Sequence, residues 1–221
     1  MSPAWIDHDG YSTLFIFGAG GHGREIAWLA RETLPHGIAV RFIVDADHRR
    51  DPEVDGVPVD TLDTFRLSQD SRFVVAIGDP ALRCAAARRL SAAGGRPATI
   101  VHPRVEMSEL VTVEPGGVIC AGTVVTTNVH LGSHAHVNIG CTVSHDVTIG
   151  DFSTLSPGVH VAGNVHIGAE VFIGIGASII NGRPGSPIVI GDGAVVAAGA
   201  CVTGAVDAGA LVAGVPAVRK R

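Results

Sequence analysis

VHLGSHAHVNIGCTVSHDVTIGDFSTLSPGVHVAGNVHI, residues Val129 to Ile167, places an aliphatic side chain at every sixth position: Leu131, Val137, Val143, Ile149, Leu155, Val161, Ile167. Stepping outward by six extends the beat to Val113 on one side and Ile179 on the other, twelve positions in all. Two residues before the beat stands a small or β-branched residue, as at Thr123, Ala135, Cys141, Ser153, Val159, Val165 and Ala177. Gly follows it at Gly132, Gly150 and Gly168, eighteen residues apart. A period of six is neither the 3.6 of a helix nor the simple alternation of a strand. It fits a triangular coil with three short strands and three tight corners per turn. The aliphatic fills a narrow prism, the small residue fits beside it, and Gly is expected at corners whose backbone excludes a Cβ.

Upstream of the coil, Thr13-Leu-Phe-Ile-Phe17 reads as a buried strand, Gly18-Ala-Gly-Gly-His-Gly23 as a turn, and Arg24 to Glu32 as a helix. A Gly-rich turn leading into a helix N-terminus presents N–H groups and a partial positive charge to an anion. The same residues satisfy G-x-G-x-x-G, with Asp45 closing the next strand, Val40 to Val44. Roughly a hundred residues precede the repeats, too few for a complete two-half dinucleotide domain, so a mononucleotide-binding half is expected. The alternative is a turn that only packs strand on helix.

A short strand at Val57-Pro58-Val59 follows, then Asp60 as a cap for a brief helix carrying Leu62, Phe65 and Leu67. Phe73 to Ile77 is a third buried strand, closing on Gly78-Asp79-Pro80, where Asp79 caps a helix from Ala81 to Ala93 that stops at Gly94-Gly95. Ala98 to Val101 is the expected last strand. Alternation of strands and helices predicts a small parallel, Rossmann-like sheet whose ligand lies at the strand carboxyl ends, where Gly20, Asp45 and Gly78 converge. The expected organisation is an extension over 1–12, an α/β domain over 13–101 and a coil domain over 102–221, its coils running to about Val202. Five extra residues interrupt the beat within Asn181 to Pro187, either as a surface loop or as the border of a binding site. The basic end Arg219-Lys220-Arg221 either solubilises the terminus or meets a cofactor phosphate.

The chain of 221 residues is 46% hydrophobic and 17% charged, with 29 Gly, a mean hydropathy of +0.35 and a formal net charge of −5. Low charge with high aliphatic content points to outer surface covered in an oligomer. Mild acidity without a basic run argues against nucleic acid. Met1 to Ser12 lacks the apolar centre of a signal peptide, and Gly or polar residues interrupt every apolar run, so neither export nor a membrane is expected. Cys84, Cys120, Cys141 and Cys201 show no metal or redox spacing and read as thiols, Cys141 buried in the coil. The expected setting is cytoplasmic.

Histidines crowd the early coils at His130, His134, His136, His145, His160 and His166. Coils of γ-class carbonic anhydrases resemble these and bind metal through His-x-x-x-x-His, but no two histidines here are five apart, and no metal is expected. His145-Asp146 is the sharper candidate. His145 follows inward Val143 by two, so its ring points outward near a corner, and a neighbouring carboxylate raises its basicity and fixes its tautomer. That equips it to deprotonate an amine or hydroxyl attacking a thioester.

Five ordered motifs, G-A-G-G-H-G at 18–23, A-I-G at Ala76 to Gly78, Ser144-His145-Asp146, Ala162-Gly163-Asn164-Val165 and Gly214-Val215-Pro216-Ala217, resemble the NeuD/PglD-type sugar acetyltransferases. The resemblance covers nearly the whole chain from Leu14 to Ala217. It implies an α/β nucleotide-sugar domain followed by a left-handed parallel β-helix of the hexapeptide-repeat kind, assembled as a homotrimer with acetyl-CoA between neighbours. It implies His145 as base and Asp146 as its support. Gly20, Gly21, His22, Asp45, Gly78 and Asn138 correspond to the nucleotide-sugar side. Thr154, Gly163, Ile175 and Ala198 correspond to the acetyl-CoA side, Gly163 through a backbone N–H. Thr154 stands where a relative has a second His, and Ala46 where an acidic residue is found.

The expected reaction is acetyl-CoA-dependent N-acetylation of a nucleotide-linked amino sugar of the 4-amino-4,6-dideoxy type. O-acetylation of a sugar or sialic acid hydroxyl is the alternative, and a non-catalytic nucleotide-sugar scaffold a further one, against which the His145-Asp146 pair counts. A nucleotidyltransferase with a β-helix tail would need an Arg- and Lys-bearing N-terminal loop that is absent.

Overall fold

The computed structural model describes residues 10–63 and 68–220. The six-residue beat builds a prism of three parallel sheets in which strands on one face repeat every eighteen residues. His136-Val137 pairs with Thr154-Leu155, Thr142-Val143 with His160-Val161, and Val147 to Ile149 with Val165 to Ile167. Val165 then pairs with Ile188, an interval lengthened by the five extra residues. The prism is filled by the aliphatic beat from Val125 to Ile179, each at most 3% exposed, together with the small residues two positions earlier. Burying each such aliphatic contributes roughly 1.5–3 kcal/mol, so the coil carries a continuous core. This is the triangular coil expected from the repeat, and the left-handed parallel β-helix that the resemblance implies.

The corners correct one expectation. Gly132, Gly150 and Gly168 do not hold left-handed backbone; positive φ falls three residues after each beat from Val113 to Ile173, at Gly116, Gly122, Asn128, His134, Gly140, Asp146, Phe152 and onward to Gly176. Gly132, Gly150 and Gly168 serve close approach instead. A Cβ at Gly150 would lie 2.5 Å from the carbonyl carbon of Gly168 and 2.6 Å from the N of Ala169, one coil on.

The N-terminal sheet contains β1 (Thr13–Phe17), β2 (Ala39–Val44), β3 (Glu53–Val54), β4 (Val57–Thr61) and β5 (Ser71–Val75), in the order β3-β4-β2-β1-β5. All neighbours are parallel except the β3–β4 hairpin. Helices α1 (Gly21–Thr33) and α2 (Pro80–Ala92) complete it, with Asp79 Oδ1 accepting from the Leu82 N–H at 2.9 Å as the N-cap of α2. Asp60 caps no helix: it lies in β4, and its carboxylate takes two hydrogen bonds from Arg41, at 2.6 and 2.9 Å. Phe65 and Leu67, assigned to that helix, fall outside the described residues. The expected last strand is divided: Pro97 bridges Phe73 in parallel and Ala98 N donates to the Phe73 carbonyl at the edge of the small sheet, whereas Ile100–Val101 pairs with Val118–Ile119 and opens the coil. The coil also continues past Val202, through Leu211–Ala213 on Val195–Val196.

One outer face of the prism is covered by the N-terminal unit. Val118 and Cys120 share a cluster with Leu14, Ile26 and Ala98. Arg83 of α2, 0% exposed, crosses this seam. Its Nε donates to the His134 carbonyl at 3.0 Å, Nη1 to the Ile77 carbonyl at 2.6 Å, and Nη2 to Thr154 Oγ1 at 2.8 Å. Burial pulls its guanidinium down to about 10, still charged near neutrality, and carbonyl dipoles replace the lost water.

Candidate active site

His145 and Asp146 occupy a corner of the third coil, Asp146 at φ +57. His145 Nδ1 stands 2.8 Å from Asp146 Oδ2, with both side chains about half exposed, at 55% and 50%. An ionised carboxylate only accepts, so Nδ1 carries the proton and Nε2 keeps its lone pair. The imidazole lies against Gly163, eighteen residues on: a Cβ there would stand 2.5 Å from both Cε1 and Nε2. Glycine at 163 therefore clears space for the ring. From the preceding coil Asn128 Nδ2 donates to Asp146 Oδ1 at 3.2 Å. The His145 bond first and the Asn128 bond second hold the Asp146 carboxyl below its ordinary value. Asn128 was not singled out in the sequence, although its spacing of eighteen from Asp146 is the coil period.

A second locus is a cleft of about 820 Å³ at the carboxyl ends of β1 and β2, bordered by Gly18, Gly20, Asp45, Arg50, Ile77 and Arg89 among others. The chain runs outward from β1 through β2 and β4 and returns to β5 on the other side of β1, so the cleft lies by the reversal point of the sheet. Gly20 is the N-cap of α1, and no side chain caps that helix. A Cβ at Gly20 or Gly21 would meet open space, whereas one at Gly23 would stand 2.1 Å from the Gly18 carbonyl oxygen. The first two glycines thus leave the helix terminus open to a ligand, and the third lets turn and helix pack. Asp45 accepts from Arg89 at 2.8 Å, and that guanidinium lies 5.1 Å over Phe17. Arg89 and Arg50 bring cations to a cleft for which the sequence reading named only glycines and a carboxylate.

The remaining predicted residues divide between two places. His22 and Gly78 lie at the seam: His22 Nε2 is 3.2 Å from His136 Nδ1, and the Gly78 carbonyl accepts from Thr154 Oγ1 at 2.9 Å. Thr154 departs from the expected cofactor contact. It is 2% exposed, and its hydroxyl is occupied by Gly78 and Arg83. Asn138 is also buried, its Nδ2 donating to the Leu155 carbonyl at 2.7 Å. Ile175 and Ala198 are exposed and stacked at successive coils, with Gly199 N donating to the Ile175 carbonyl at 2.9 Å. Their corner and the His145 corner are different edges of the prism, flanking the face that carries Thr142 and His160.

The insertion springs from the His145 edge, with Gly182 N donating to the Gly163 carbonyl at 3.0 Å. Arg183 and Ser186 exchange two backbone hydrogen bonds around Pro184-Gly185, Gly185 at φ +75, which makes a tight turn of it. Among the described residues no group of three or more His, Cys, Asp or Glu side chains converges as a metal site. None of their helices is long and apolar enough to cross a membrane.

The family model described as the PglD N-terminal domain matches residues 13–90, the segment that builds the cleft. GDP-perosamine N-acetyltransferase of Escherichia coli O157:H7 is 34% identical over 91% of this chain and 93% of its own length. The chain belongs to the NeuD/PglD-type sugar acetyltransferases. It is accordingly an acyltransferase. The acetyltransferase domain of PglB from Neisseria gonorrhoeae FA1090, solved with acetyl coenzyme A, superposes with a TM-score of 0.84 at 32% identity, covering 95% of this chain and 100% of that one. PerB from Caulobacter crescentus, solved with CoA and GDP-perosamine, gives a TM-score of 0.82 at 31% identity, over 95% and 97%.

Proposed function

We propose that this chain transfers the acetyl group of acetyl-CoA to the amine of a nucleotide-linked 4-amino-4,6-dideoxy sugar. The observation that carries the reading is the His145–Asp146 contact at 2.8 Å, with the imidazole half exposed above Gly163. His145 Nε2 takes the proton from the sugar ammonium or from the amine as it attacks the thioester carbonyl. The imidazolium that forms is paired with Asp146. The carbonyl becomes a tetrahedral oxyanion, for which the Gly163 N–H is a donor, and collapse expels CoA thiolate. Such a base contributes roughly 10²–10⁴-fold and a single oxyanion donor roughly 10²–10³-fold.

On this reading Gly20, Gly21 and Asp45 hold the nucleotide in the cleft, with Arg50 and Arg89 as its cations. His22, Gly78 and Asn138 lie toward the sugar, and Ile175 and Ala198 face acetyl-CoA. Thr154 has no part in it. The relative that acts on GDP-perosamine favours GDP as the nucleotide. His145 and Ile175 occupy different edges of one prism, which supports a homotrimer whose acyl-transfer site is completed between neighbours. Four unpaired thiols suit a reducing, cytoplasmic setting.

The test is thiol release from acetyl-CoA against GDP-, UDP- and dTDP-linked 4-amino sugars and free sialic acid. Turnover on one amino sugar, reduced about 10³-fold in His145→Ala, is expected. Turnover on a hydroxyl acceptor alone would reassign the chain to O-acetylation, and full activity in His145→Ala would remove the base.

A further inference from the structure

Six of the coil's corner positions at positive φ carry residues other than glycine, Asn128 and Asn164 among them. Asparagine tolerates this conformation, so the corner alone accounts for its choice at either place. The two side chains nevertheless differ. Asn164, one coil beyond Asp146, makes no side-chain hydrogen bond among the described residues. Asn128, one coil before, donates its amide to Asp146 Oδ1 at 3.2 Å while Oδ2 of the same carboxylate meets His145 Nδ1 at 2.8 Å. The carboxylate is thus held at both oxygens, on a surface where Asp146 would otherwise turn into water.

We propose that Asn128 is a positioning residue for acyl transfer, pinning Asp146 so that His145 keeps its proton on Nδ1 and its lone pair on Nε2. It acts through Asp146 and touches no substrate in this arrangement. These residues climb one edge of the prism in three levels, Asn128 above, His145–Asp146 at the level of reaction and Gly163 beneath. Each level is supplied by a successive coil, so the rigid ladder that stacks the coils also sets the hydrogen-bond chain. His145 and Asn128 are the groups that face the Asp146 carboxylate from the corner and from the coil before it, and both hold it in its ionised form.

The inference rests on His145 being the base, and the experiment separates the two. Asn128→Gly keeps the backbone conformation and removes the amide. Asn128→Asp keeps the shape and replaces the donor with a second carboxylate. In the full chain, kcat, KM and the pH profile are measured for both, alongside the nitrogen-15 spectrum of the His145 ring without substrates.

For Asn128→Gly, kcat should fall about ten-fold with KM values within about two-fold, and the acidic limb should move to lower pH because the imidazolium loses its fixed partner. The ring spectrum should show proton leaving Nδ1 for Nε2. Asn128→Asp should lose activity similarly while its acidic limb moves upward, as added negative charge favours the imidazolium. Wild-type kcat, pH profile and ring spectrum in Asn128→Gly would overturn the proposal. So would a parallel loss of melting temperature and KM with the limb and spectrum unmoved, which is what a purely structural corner gives. An inactive His145→Ala beside a wild-type Asn128→Gly rejects the positioning role alone. An active His145→Ala rejects the base reading, and the ring spectrum still decides whether Asn128 holds the pair.

Discussion

At the scale of single residues, Gly163 is a glycine whose absent Cβ faces a side chain and not backbone. Its backbone is in an ordinary conformation, so alanine there is unstrained locally; the added Cβ collides with the His145 ring, at 2.5 Å from Cε1 and Nε2. The neighbour that must give is a half-exposed side chain, which swings away cheaply. Gly163→Ala should therefore leave the melting temperature within a few degrees and lower kcat/KM about 10²-fold, since a displaced base forfeits most of its 10²–10⁴-fold contribution. Thermal unfolding measured beside steady-state kinetics checks both halves. A protein that melts early yet turns over normally when folded would place Gly163 in the coil's packing only.

At the scale of elements the opposite holds for Gly150. Its absent Cβ faces backbone atoms, the Gly168 carbonyl carbon at 2.5 Å and the Ala169 N at 2.6 Å, and backbone in a coil ladder cannot step aside. Gly150→Ala should cost about 3 kcal/mol or more, read as an early urea midpoint, with kcat per folded molecule unchanged. Urea unfolding with an unaltered midpoint would mean that the coils separate more easily than their ladder suggests. The beat from Val113 to Ile179 showed the prism in advance because every side chain on it does one job, and a repeated environment leaves a repeated signature. The role of the following glycines was misread for a related reason. Periodicity reveals that a position is special but cannot separate a left-handed corner from a close contact between coils. Asp60 failed as a cap because Arg41, nineteen residues away, takes its carboxylate, and such a long-range partner leaves no local pattern. In the site, His145 and Asp146 are adjacent in sequence and stood out together. Asn128 and Gly163 act on them across whole coils, and Thr154 was aligned to a ligand that the N-terminal unit hides from it.

At the scale of the whole molecule, the seam joins the N-terminal sheet that carries the cleft to the coil that carries the His145–Asp146 pair, and its polar contents make that junction sensitive to acid. His134 is stacked between Phe73 and Phe152, at 6.1 and 5.0 Å, and burial first, then the Arg83 charge, pulls it down to about 4 against a smaller opposing effect of Asp151. His136 is pushed well below its usual range by burial and then by Arg83, His22 and His134. His22 is lowered by burial against the opposing Glu25. Each imidazole is neutral in the folded chain and takes a proton near 6.5 once unfolded. Between about 6.5 and 4 the unfolded chain therefore binds more protons, so stability is complete above 6.5 and declines as pH falls below it. The slope is at most about 1.4 kcal/mol per pH unit for each imidazole. Urea unfolding between pH 7.5 and 5 should show the decline. His134→Asn, which suits the left-handed corner at φ +55 and removes one titrating group, should flatten the slope while lowering stability at pH 7.5 through lost stacking. Carboxylates pull the same way at lower pH, so only the difference between the two slopes is diagnostic. Parallel slopes would mean that the seam opens to water before it titrates, and that Arg83 and the packed helices hold the halves together without regard to these histidines.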